Sequence, residues 1–94
     1  MSFLNFFRRQ KNKTSHPTAL LKTGRIIEGT VIDVKTDDRG HITHVYYSYI
    51  IAGVEYESSQ ELDADQRGRQ GNYAPGGRIV IRYDPRHPII SIVV

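Results

Sequence analysis

Downstream of residue 25 the chain alternates between apolar and polar positions, and the alternation is cleanest near its end. In Arg78 to Tyr83, Ile79, Ile81 and Tyr83 fall on one side and Arg78, Val80 and Arg82 on the other. A period of two built from β-branched residues predicts a half-buried strand. Gly76-Gly77 ahead of it supplies a turn. Asp84-Pro85 behind it ends the ladder, because proline fixes φ and has no N–H to donate. Ile89 to Val94 then reads as a final strand, apolar on both faces. At this level it can pair within the chain or with a second copy.

The same period predicts three earlier strands. Ile26 to Lys35 is the first, and its imperfect alternation around Gly29 predicts a bulge or sharp bend there. Asp37-Asp38-Arg39-Gly40 is a turn. His41 to Ile51 is the second strand, with Val45, Tyr47, Tyr49 and Ile51 on one face. Ala52-Gly53 is a tight hairpin connection into the third strand, Val54 to Ser59. Gln60 to Gly77 breaks the pattern with four glycines and few apolar residues, so it reads as either a long loop or a loop holding one short helix near Glu61 to Arg67. The expected fold is all-β: a small five-stranded antiparallel barrel or sandwich. A barrel is preferred because closure removes exposed edges.

Composition divides the chain. Its 94 residues make one small domain, without cysteine for a disulfide or a thiolate metal site. The net charge of +3 conceals an asymmetry: residues 1–25 carry six cations and no acid, whereas residues 26–94 carry seven cations and ten acids. The basic character belongs to a leader and linker, 1–25, and not to the β-domain, 26–94, so a nucleic-acid argument from overall charge misleads. The leader is expected to be flexible or helical. It opens with Phe3, Leu4, Phe6 and Phe7 followed by Arg8 and Arg9. Apolar side chains beside cations suit contact with a membrane surface or a partner. The apolar cluster precedes the basic one, the reverse of a secretory signal, and no run approaches the roughly 20 apolar residues of a spanning helix.

Residues with chemistry read more simply as structural. His41 and His44 lie three apart on a predicted strand and so face opposite sides, and His87 sits in the proline corner. Glu55 and Glu57 share an outer face, and Asp84 suits bonding to backbone N–H groups at the corner. No serine sits in a nucleophile elbow, and Gly71 to Gly77 lacks the lysine and helix of a phosphate loop. Neither catalytic, cofactor nor metal residues are expected. Tyr46, Tyr47, Tyr49, Tyr56 and Tyr83, with Arg67, Arg69, Arg78, Arg82 and Arg86, could stack and clamp a single nucleic-acid strand. Core packing with hydroxyls at the rim is the simpler role for the tyrosines.

Gly29-Thr30-Val31-Ile32, Tyr46-Tyr47-Ser48-Tyr49, Gly53-Val54-Glu55-Tyr56 and Val80-Ile81-Arg82-Tyr83-Asp84-Pro85-Arg86-His87-Pro88, with Ser91 following, together resemble the domain of unknown function three-five-nine-two family. The likeness runs over roughly residues 29–92, and the closing motif is its most specific part. It implies a small all-β domain, often placed beside transmembrane helices in bacterial proteins, with no established activity. The expectation is a non-enzymatic interaction module, cytoplasmic and peripheral to the inner membrane through its leader. Its partner would be a protein or an anionic membrane surface, with Arg67, Arg69 and Tyr73 as the recognition loop. Single-strand nucleic-acid binding is the alternative.

Overall fold

The computed structural model describes the backbone of residues 9–12 and the whole of residues 19–94. Its strands are β1 (Arg9–Asn12), β2 (Arg25–Thr36), β3 (Ile42–Ile51), β4 (Val54–Glu61), β5 (Arg78–Asp84) and β6 (His87–Val93). Two short helices, α1 (Leu20–Thr23) and α2 (Ala64–Arg67), and a 3-10 helix (Gln70–Tyr73) complete it. The sheet order is β1-β4-β3-β2-β5-β6. Strands β2 to β6 are antiparallel and coil into a nearly closed barrel, as the alternation predicts.

The chain does not lay its strands down in simple sequence order. After β4 the connection carries it back across the barrel, so β5 pairs with β2. Strand β2 serves both halves of the sheet: residues from Arg25 to Thr30 pair with β5, and those from Thr30 to Thr36 pair with β3. Gly29 sits beside this change of partner. A Cβ there would come within 2.7 Å of Ser48 O and collide with the end of Ile81, so only glycine fits. The bulge itself lies further on, between Val31 and Asp33, and turns Ile32 outward.

Local turns follow their residues. Ala52 and Gly53 both adopt positive φ, 53° and 81°, giving the two-residue hairpin turn whose twist matches the strands. Asp37 Oδ1 accepts from the N–H groups of Arg39 and His41, each at 2.9 Å, and these bonds hold its carboxyl below the usual range. Asp84 Oδ1 accepts from Arg86 N–H at 2.8 Å, the corner role expected of it.

The core gathers Val31, Val45, Tyr47, Tyr49, Leu62, Tyr73, Ile79, Ile81 and Val93. Burying a side chain such as Ile81, wholly excluded from solvent, contributes about 1.5–3 kcal/mol. Leu62 and Tyr73 come from the 60–77 connection, which is therefore no open loop. It holds α2 and the 3-10 helix, where the sequence suggested at most one helix, and it plugs an end of the barrel. Within the leader and linker, Arg9 and residues 10–12, the first of the polar stretch 10–18 expected as a linker, form β1 and pair in parallel with β4. Leu20 of α1 is buried, and Arg82 Nη1 donates to Gly24 O at 2.9 Å, tying this turn to β5.

Candidate functional site

The barrel closes between β4 and β6, and the closure is made by side chains. Gln60 of β4 is buried, and its amide copies a ladder rung: Oε1 accepts from Val93 N–H at 2.8 Å and Nε2 donates to Val93 O at 3.4 Å. Gln66 of α2, also buried, donates from Nε2 to the same carbonyl at 3.0 Å. Its Oε1 accepts from Asp63 N–H at 3.1 Å while Asp63 Oδ1 accepts from Gln66 N–H at 2.8 Å, a reciprocal capping box. One helix start thus anchors the last strand.

Tyrosines complete the hold on β6 from inside. Tyr47 Oη and Ser91 Oγ share a hydrogen bond of 2.8 Å, and Tyr49 Oη donates to Pro88 O at 2.6 Å. The Tyr49 ring stacks between those of Tyr47 and Tyr56, at centroid distances of 6.0 and 5.5 Å. Burial pushes the Tyr47 hydroxyl above its ordinary pKa and the Tyr49 hydroxyl well above it, against the hydrogen bonds that pull them down. These rings are committed to one another and to the core, the packing role expected of them. Tyr46 faces outward, 40% exposed.

The remaining predicted residues are scattered over the surface. Arg67 Nε donates to Leu62 O at 3.2 Å and its Nη2 lies 3.3 Å from Glu61, so this side chain braces the connection. Arg69 is exposed, whereas Tyr73 turns inward. Arg69, Asn72, Tyr73, Arg78, Val80 and Val94 border a shallow cleft of about 430 Å³. Tyr73 Oη is buried there and has no hydrogen-bond partner among the described residues; the nearby Gln66 amide makes its bonds to Val93 and Asp63. Arg78 also reaches Glu28 at 3.4 Å. His41 lies 3.9 Å from Asp37, and His44 Nδ1 meets Thr43 Oγ1 at 2.9 Å. Among the described residues no group of three or more His, Asp or Glu is placed to hold a metal.

Phe3, Leu4, Phe6, Phe7 and Arg8 lie outside the described residues. Arg9 opens β1 opposite Glu55, and Glu55 stands opposite Ile50 on its other side. Ile50, Glu55 and Arg9 therefore make one cross-strand row, next to the Ala52-Gly53 turn. Ile50 is 62% exposed. On the opposite half of the sheet, Ile26 and Val80 are also exposed, and they are diagonal neighbours across the β2–β5 ladder. Alternation set Val80 on the face opposite Ile79, Ile81 and Tyr83 but gave no reason for an apolar residue there.

Fold and surface define a class: a small, nearly closed β-barrel, sealed by polar side chains, with apolar residues set among charges on its exterior. The chain belongs to the family described as Domain of unknown function (DUF3592), whose model matches residues 22–94. The match begins within α1, so β1 lies outside it. No curated protein and no solved structure matches the chain. No helix among the described residues is long and apolar enough to cross a membrane.

Proposed function

We propose that this chain is a non-enzymatic interaction module, held at the cytoplasmic face of an anionic membrane by residues 1–9, with the barrel exterior as its partner-contact surface. The row of Ile50, Glu55 and Arg9 carries this reading. It joins the apolar and basic leader to the end of the barrel where a large apolar side chain is exposed. Phe3, Leu4, Phe6 and Phe7 would enter the interface between headgroups and acyl chains, and Arg8 and Arg9 would meet anionic headgroups. A segment this short gives weak, reversible attachment.

Co-sedimentation with vesicles tests the reading. The full chain is expected to bind vesicles containing phosphatidylglycerol, to release as salt rises, and to ignore pure phosphatidylcholine. Phe6→Ser with Phe7→Ser should weaken binding by about tenfold or more, since two aromatic side chains leave the interface. Equal binding by the wild type and this variant would remove the anchor.

A further inference from the structure

Strand β1 is an unusual addition to this barrel. Among the described residues it is the one parallel strand, it has four residues, and it lies outside the family match. Its sequence, Arg9-Gln10-Lys11-Asn12, brings no apolar residue. Gln10 and Asn12 take the register positions opposite Tyr56 and Ser58, on the side of β4 that turns inward. A short edge strand with nothing apolar to bury belongs to the least stable part of a fold.

Its other two positions are charged and matched. Arg9 stands opposite Glu55 and Lys11 opposite Glu57, so two basic positions meet two acidic ones in register. Opposite charges on directly facing positions favour pairing. Arg9 is one of the cations that the proposed function assigns to an anionic membrane, and Lys11 follows it two residues on. They have two acceptors, the β4 carboxylates and lipid headgroups.

We infer that the β4 edge and an anionic bilayer compete for Arg9 and Lys11, so that membrane attachment detaches β1 from β4. The inference rests on the membrane reading above. A cation close to an anionic surface gains about fivefold in affinity, and the positions it would leave face Glu55 and Glu57, both half-buried.

Hydrogen exchange by mass spectrometry and vesicle co-sedimentation, both on the full chain, test this. On binding phosphatidylglycerol vesicles the wild type should lose amide protection over 9–12 and keep it over 42–51. Glu55→Gln with Glu57→Gln should lose protection over 9–12 without vesicles and bind vesicles about three- to fivefold more tightly. Asp38→Asn with Asp65→Asn removes the same charge away from β1 and should leave binding near the wild-type value. Intact protection over 9–12 in the vesicle-bound wild type would overturn the competition. So would equal gains in affinity by the two double variants. Absence of binding by every protein would instead remove the membrane reading itself, and the competition with it.

Discussion

Two pieces of chain lie along the open side of β4, and they are built by opposite rules. Towards the Glu61 end, the 60–77 connection and β6 meet through Gln60 and Gln66, both excluded from water, with Leu62 and Tyr73 packed behind them. Towards the hairpin end, β1 runs beside β4 with four polar residues and a register of matched charges. The first closure has a high cost of opening, because it leaves backbone groups of Val93 without partners in a dry setting. The second sets two basic register positions against two acidic ones. On the competition inferred above, the first is a permanent seam and the second a removable one, although each is made of polar groups.

The largest effect is expected from attacking the permanent seam. Gln60→Leu strands the Val93 N–H and should cost about 1–3 kcal/mol, read from chemical denaturation. If stability is unchanged, the amide rung is not what closes the barrel.

Alkaline pH should loosen the same strand from within. Burial raises the Tyr47 and Tyr49 hydroxyls in the folded state, so the folded chain binds protons more tightly than the unfolded one. The stability this gives is fully present below the ordinary tyrosine value near 10 and is lost as pH rises beyond it. The denaturation midpoint should be lower at pH 11 than at pH 8, and Tyr49→Phe should shrink that difference.

The smallest effect belongs to the removable seam. Arg9→Ala with Lys11→Ala should change global stability by about 0.5 kcal/mol or less, as exposed pairs do. A loss comparable to that of Gln60→Leu would place β1 among the permanent elements and end the contrast.

The parts of this fold that were legible are those governed by neighbours in sequence. Alternation located β2 to β6, Ala52-Gly53 announced its turn, and Asp84-Pro85 its corner. The inward Tyr47 and Tyr49 followed from the face they share with Val45. What escaped depends on distant partners. Nothing local tells β5 to pair with β2 and not with β4, since the connection that decides it is long. Gln60 and Gln66 look like surface residues until Val93 arrives to satisfy them. Strand β1 has neither β-branched residues nor alternation, and it is a strand only because β4 offers an edge and acids. Tyr73 sat in a glycine-rich stretch that resembled a loop, while its ring was a plug. Val80 was set opposite the inward Ile79 and Ile81, but the exposure of Ile26, Ile50 and Val80 became meaningful only with the neighbours that flank them.

The clamp on Val93 also governs when the barrel can form. Gln60 must find a strand 33 residues later, Tyr47 a serine 44 residues away, and Arg82 reaches back 58 residues to Gly24. Closure therefore waits on contacts far apart along the chain, which places this domain among the slower folders of its size. On the ribosome, β2, β3 and β4 emerge ahead of β5 and β6 and stand as an unfinished sheet until β6 is out. The order of synthesis thus leaves the β4 edge uncovered on its β6 side for the longest time, and β1, made before β4, is already there to cover part of it.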